Sequence, residues 1–495
     1  MKKNKIILTI LALIGLSVSC NEDSLELTNP NELLPDSFFQ NPIQVQSAVN
    51  AVYSNLQTQG LYSRHMFFMM DNMSHENGGN TQLEADKRQY LDFSFDASHG
   101  AIGAYWESCY RGINKANFVV ENSDKINAIL PSVMSDDLKQ KAIGEAKFLR
   151  ALFYFFIVTR FGDAPLVTVL PPEDGVGPAK STSAEIYSLI VKDLQEAIPV
   201  LLEKGDEENG RATKGAAHAL LGKVYLFLEQ YDDALTQFNA LSGYELEDNY
   251  FNNFMEETEH GVESIFEIEY DDDFGTSAQW NSDRSGQGPN EATFRGQEYG
   301  FNDWFNVFPS DDLLNEYEPD DIRFEQSFYV NGDTFGPGGS LEVDHFPSNG
   351  GGNAGWSKYC NYYKDANEDQ TSGINFKYLR YADVLLMMAE CESMRAGGSQ
   401  DVAIGYINQV RDRAGLDDLP TGMSQEQVFD ALVHERKVEL AGEQSRFNDI
   451  IRWGIAETEL SGTNFQVGKH ELLPIPQGEI DSNINISSAD QNPGY

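Results

Sequence analysis

The stretch GAAHALLGKVYLFLEQYDDALTQFNAL, residues 215–241, constrains the fold most. Leu221, Gly222, Tyr225, Tyr231, Ala234 and Phe238 stand at tetratricopeptide spacing. Small Gly222 and Ala234 let two antiparallel helices approach, while the aromatic residues fill the groove between them. One such pair buries little surface alone, so several must stack. A looser second unit is LLMMAECESMRAGGSQDVAIGYINQVRDRAG, with Ala389 and Ala403 as its close-approach residues. Most residues of both units are scaffold.

Other segments extend the helical reading. GEAKFLRALFYFFIVTRFGDAP is apolar nearly all round from Ala146 to Phe161, the mark of a buried helix, and Gly162 and Pro165 end it. TSAEIYSLIVKDLQEAI opens with Thr182 and Glu185 at capping-box spacing, and SQEQVFDALVHERKVEL does the same with Ser424 and Gln427. The HERKV within it begins like a zinc-protease motif but lacks the second histidine, so it reads as a solvated helix face. The eight histidines are otherwise scattered, and no metal ligand set or cofactor motif is predicted.

Between Gly243 and Phe376 the character changes. ESIFEIEYD alternates as a short, half-exposed strand. Long loops follow: FGTSAQWNSDRSGQGPN, FRGQEYGFNDWFNVF and FPSNGGGNAGWSKYCNYY. Long loops in a compact domain are usually functional or disordered, and these keep a density of rings that disordered linkers lack. Aromatic faces cover the C–H side of a sugar ring, while neighbouring polar groups bond its hydroxyls. Trp280, Tyr299, Trp304 and Trp356 are the candidate stacking rings, with Asp283, Arg284 and Asn302 nearby. The loops of 271–305 and 353–363 are therefore expected to form a ligand surface.

Charge narrows the partners. The 495 residues carry a formal charge of −43, and loss of Lys2, Lys3 and Lys5 with a leader makes it −46. Such a field repels phosphate backbones and anionic lipid, which excludes nucleic acid and disfavours anionic polysaccharides. The basic start, followed by the apolar run Ile6–Leu16, fits a secretory signal and is too short to span a bilayer, which takes ~20 residues. Ser17 and Ser19 suit ordinary cleavage, and cutting at the same bond leaves Cys20 first, as in a bacterial lipoprotein. The lack of another use for an N-terminal thiol favours lipidation. Cys109, Cys360 and Cys391 form no metal or disulfide framework, although one bridge is possible.

These segments resemble the SusD/RagB family of Bacteroidetes surface lipoproteins. PDSFFQNPIQVQSAVNAVYSNL and EAKFLRALFYFFIVTRFGDAPLV are similar to family segments near the N-terminus. FKYLRYADVLLMMAECESM, INQVRDRAG, HERKVELAGEQSRFNDIIRWG, LLPIPQGEIDSN and the terminal QNPGY follow in family order. Ile486 departs from the family, which often has proline there. The resemblance implies a mainly α fold, with tetratricopeptide-like helix pairs packed against a loop-rich region with a few short strands. It implies a signal peptide at 1–19, a lipidated tether at 20–40 and one domain at 41–495. Within that domain the scaffold covers about 41–242 and 376–495, and the ligand-binding region about 243–375. By resemblance, Asp71 and Asn72 border the ligand site and Tyr90 offers it an aromatic ring, while Arg380 is a structural ion-pair partner.

The implied function is capture of oligosaccharide at the outer membrane and delivery to a SusC-like TonB-dependent transporter, without catalysis or cofactor. Peptide capture by the same architecture is the alternative. A glycoside hydrolase stands third, because carboxylate pairs carry no information in a chain with 78 acidic residues.

Overall fold

A computed structural model describes residues 38–170, 176–272, 280, 290–348 and 350–495. Cys20, Asp283 and Arg284 lie outside these residues. The N-terminal half is a succession of helices: α1 (Pro42–Tyr53), α2 (His65–Met73), α3 (Gly100–Glu121), α4 (Asp136–Phe161), α5 (Ser183–Ala197), α6 (Lys214–Phe227) and α7 (Tyr231–Phe238). The middle contributes a short α8 (Arg295–Tyr299), and the C-terminal part α9 (Tyr381–Met394), α10 (Gln400–Arg413), α11 (Gln425–Glu439) and α12 (Arg446–Arg452), among shorter turns. The fold is mainly α, as expected.

Local chemistry accounts for these boundaries. Ser135 caps α4, Asp136 and Asp137 complement its dipole, and Gly162 ends it at φ 68°. The capping boxes at Thr182 and at Ser424 both form. α6 packs on α7 at the predicted close approach: a Cβ added to Gly222 would lie 2.4 Å from the Phe238 ring. Ala389 and Ala403 are fully buried where α9 meets α10.

Strands among the described residues pair only two by two. β1 (Asn77–Gly79) pairs antiparallel with β3 (Val307–Pro309), and β2 (Ser264–Ile268) with β4 (Phe376–Arg380). β2 corrects one expectation. Every residue of it is buried, not alternate ones, because Glu267 turns inward to Lys377, 3.2 Å away, while Phe266 packs in the helical core.

HERKV is a second correction. Glu435, Arg436 and Glu439 of α11 are buried, not solvated. Arg323 reaches Glu435 at 2.5 Å and Glu439 at 3.0 Å, and Arg436 holds Asp383 at 2.7 Å and Asp449 at 2.8 Å. Arg380 binds Glu263, Glu439 and Glu443, which makes it the structural ion-pair partner expected. Breaking buried pairs of this kind costs about 3–5 kcal/mol, because one charge is left uncompensated. Cys109, Cys360 and Cys391 are buried free thiols, so the possible bridge among them is not formed.

Two cores result. The larger joins the N-terminal helices to β2 and β4. A smaller aromatic one, holding Phe67, Phe68, Phe294, Tyr299, Phe301 and Trp356, underlies the loop-rich region.

Candidate aromatic binding site

Two of the predicted rings meet at the surface. Trp280 and Trp304 are 42% and 40% exposed, their ring centroids 6.3 Å apart and their planes within 16° of parallel. Exposed indoles on adjacent loops leave apolar surface in water, which is tolerated where a ligand covers it.

Buried groups hold the pair from the protein side. Phe294 lies 4.5 Å from Trp280, and the guanidinium carbon of Arg64 is 4.5 Å from its ring centroid. Arg64, from the turn before α2, donates through Nε to Glu298 at 2.5 Å and through Nη2 to Glu84 at 3.0 Å. Glu298, on α8, also accepts from the Asn306 side chain, and its carbonyl accepts from Asn306 N–H at 2.9 Å. Burial raises the Glu298 pKa, and the Arg64 charge opposes that rise. The Trp304 N–H closes the loop on Gln297 O at 3.3 Å.

The adjoining turn is equally fixed. Tyr362 donates to Asp303 at 2.6 Å and accepts from Asn302 N–H at 3.0 Å. Asn302 donates to Ala366 O at 2.9 Å, and its Oδ1 meets His345 Nε2 at 3.1 Å. Asn302 is thus committed to the protein. The outer ends of Glu84 and the partly exposed Asn80 and Asn306 border the pair with polar groups.

The remaining candidates are placed elsewhere. Trp356 is fully buried and donates from Nε1 to Asn77 at 2.9 Å. Tyr299 is buried and donates to Asp71 at 2.8 Å. Asp71 also receives two contacts from Gln444 and lies 3.4 Å from Arg295. Asn72 bonds Lys87 O and Asn77, and Tyr90 packs on His99 and Phe95. These five were expected at a ligand surface. The structure instead buries them all: the polar tips of Trp356, Tyr299, Asp71 and Asn72 are satisfied across β1, α2 and α8, while Tyr90 packs in the larger core, its hydroxyl without a partner among the described residues. Residues 353–363 are correspondingly mostly buried, which removes that loop from the surface expected. Arg64, Glu84 and Glu298 went unnoticed in the sequence. Nothing local marks an arginine whose partner carboxylate lies more than two hundred positions away.

Among the described residues, one histidine–carboxylate cluster has the compactness of a metal-ligand set. Ligand atoms of Glu259, His260 and Glu267 come within 4.8 Å of one another. Lys377 already supplies a positive charge to Glu267, so the cluster is a salt-bridge network.

Sequence profiles of two descriptions match the chain. That of the SusD family covers residues 262–495, and that described as starch-binding and associating with the outer membrane covers 23–226. The chain belongs to the SusD family. SusD-like protein P2 of Formosa agariphila is 28% identical over the whole of both chains. The starch-binding protein SusD of Bacteroides thetaiotaomicron is 24% identical across 73% of this chain and 74% of its own. Among solved structures, a laminarin-binding SusD-like protein superposes with a TM-score of 0.75 at 26% identity, covering 92% of this chain and all of that one. A SusD superfamily protein of Bacteroides vulgatus does so with a TM-score of 0.77 at 24% identity, over 93% and 100%.

Proposed function

We propose that this SusD-family protein is a surface glycan-binding lipoprotein that captures neutral oligosaccharide on Trp280 and Trp304 and passes it to a SusC-like TonB-dependent transporter. Residues 1–19 are the leader, 20–40 the lipidated tether and 41–495 one binding domain. The observation that carries the reading is the pair of half-exposed, nearly parallel indoles, backed by a buried Arg64–Glu298 ion pair. Such a platform takes the apolar face of a sugar ring without needing a charge on the ligand, in keeping with the strongly acidic chain. The binding is non-catalytic: the carboxylates beside the rings are engaged by Arg64 and Asn306 rather than poised around a scissile bond.

The test is calorimetric titration of wild type, Trp280→Ala and Trp304→Ala with neutral oligosaccharides. Laminarin fragments are the first probe, since a relative of this fold carries that ligand in its name. Loss of an aromatic anchor is worth about 2 kcal/mol or more, or roughly thirtyfold in affinity. Both variants are expected to bind at least that much more weakly while melting near the wild-type temperature. Trp280 should show the larger loss, since Arg64 and Phe294 fix its orientation. Retained affinity with a lowered melting temperature would assign the rings to packing instead. Binding of peptides but of no glycan would replace the ligand class.

A further inference from the structure

Two segments that carry the family resemblance, residues 145–167 and 434–454, play no part in the indole site. They meet in the helical core around a cavity of about 40 Å³, walled in part by Thr159, Arg160, Lys223, Gln444, Ser445 and Asn448. By that measure one water takes about 10–15 Å³, so the space holds about three or four water-sized occupants and no sugar.

Arg160, from α4, is 2% exposed there. Its Nη2 donates to Asn448, and the Phe447 ring centroid lies 5.1 Å from the guanidinium carbon. Its Nε has no partner among the described residues. No described carboxylate forms an ion pair with it, which sets it apart from the other buried arginines. Arg150 is held by Asp193, Arg323 by Asp321, Glu435 and Glu439, and Arg436 by Asp383 and Asp449.

The carboxylates on the cavity wall are already claimed. Asp383 serves Lys223 and Arg436, Glu443 serves Lys358 and Arg380, and Asp449 serves Arg436 and Arg452. Burial draws the Arg160 pKa down only to about 10, so it stays charged at neutral pH. A buried charge is strongly disfavoured unless an opposite charge meets it, and one aromatic face is a weak substitute. Ser445 Oγ, on the same wall, is buried with no partner among the described residues and is able to donate.

We propose that this cavity binds a small monovalent anion of chloride size, held by the Arg160 guanidinium and the Ser445 hydroxyl. The neighbouring Gln444 Oε1, an acceptor with no partner among the described residues, then takes a hydrogen from a water beside the anion. The anion neutralises the buried arginine that lacks a carboxylate partner among the described residues, and ties α4 to the start of α12.

Bromide replaces chloride and scatters anomalously, which makes the site directly visible. Crystals of the full mature chain grown in bromide should show an anomalous peak within about 3.5 Å of the guanidinium nitrogens of Arg160. In solution, chloride in place of the bulkier gluconate at equal ionic strength should raise the melting temperature by about 2 °C. Arg160→Gln should abolish that difference. Should that variant fail to fold, the bromide map of wild type decides alone. A map with no peak at Arg160, or a melting temperature equally sensitive to the two salts in Arg160→Gln and wild type, overturns the proposal.

Discussion

Glu368 sits beneath the Asn302–Asp303 turn that neighbours the tryptophan pair, and its proton matters to the fold. Its carboxylate accepts from Asn361, while its own N–H donates to Asp303 at 2.6 Å. Burial is the larger influence and the nearby Asp303 adds to it, so the pKa is pushed up to about 8 against an ordinary value of 4.5. A raised folded-state pKa contributes stability that is complete below about 4.5 and is lost as pH rises through about 8. Glu368→Gln keeps a neutral side chain at every pH. It is expected to match wild type near pH 4.5 and to exceed it by on the order of 4 kcal/mol at pH 8, since each tenfold change in proton affinity is worth about 1.4 kcal/mol. Urea midpoints at the two values check this, with Glu76 and Glu259, also raised to about 8, unchanged in both proteins. A constant offset between the two proteins would show that Glu368 does not titrate in this range. The residue scale is also where sequence reading was least able to choose. Trp280, Trp304, Tyr299 and Trp356 all stand in polar, turn-rich loops. What separates the exposed pair from the buried one is whether Asn77 and Asp71 reach their polar tips, a contact across more than two hundred residues.

Elements were more legible wherever their cause was local. The α6–α7 pair follows from spacing within a single stretch of chain, and the caps of α5 and α11 from residues three apart. The contact at Gly222 makes the pairing testable. Any side chain there meets the Phe238 ring at 2.4 Å, so the ring must shift before even a Cβ fits. Gly222→Leu adds several methylenes beyond that. Overpacking of this kind typically costs about 1–3 kcal/mol. Thermal melts should show the loss, while oligosaccharide affinity per folded molecule stays at the wild-type value, because Gly222 belongs to the scaffold and not to the indole site. Wild-type melting would mean that α6 and α7 pack by another face. The misread elements were those with distant partners. HERKV has the composition of a solvated face, but Arg323 and the carboxylates of Asp383 and Asp449 arrive from segments apart from α11 and turn it inward. β2 alternates as a half-exposed strand should, but Lys377 on β4 draws Glu267 to the inside.

At the scale of the whole molecule, charge and length bear on how the protein stays at a membrane. No helix among the described residues is long and apolar enough to cross one. Nor does the surface favour lipid: at −43, or −46 after loss of the leader lysines, it is repelled by anionic headgroups. The attachment proposed above is a covalent lipid on Cys20, which follows the run Ile6–Leu16 and Ser17–Ser19. Each buried CH₂ of an acyl chain contributes about 0.8 kcal/mol, and stable anchoring takes more than one chain. The described fold begins at 38, where Phe38 and Phe39 pack on Phe118. These rings belong to the described core and lie well after Cys20 in the chain, so Cys20→Ala should separate anchoring from folding. Wild type is expected to incorporate labelled palmitate and to sediment with the outer membrane. The variant should take up no label and move to the soluble fraction, with its melting temperature and oligosaccharide affinity unchanged. A wild-type protein that takes up no palmitate and fractionates as soluble would remove the lipid anchor, and with it the route by which so acidic a surface is held at the membrane.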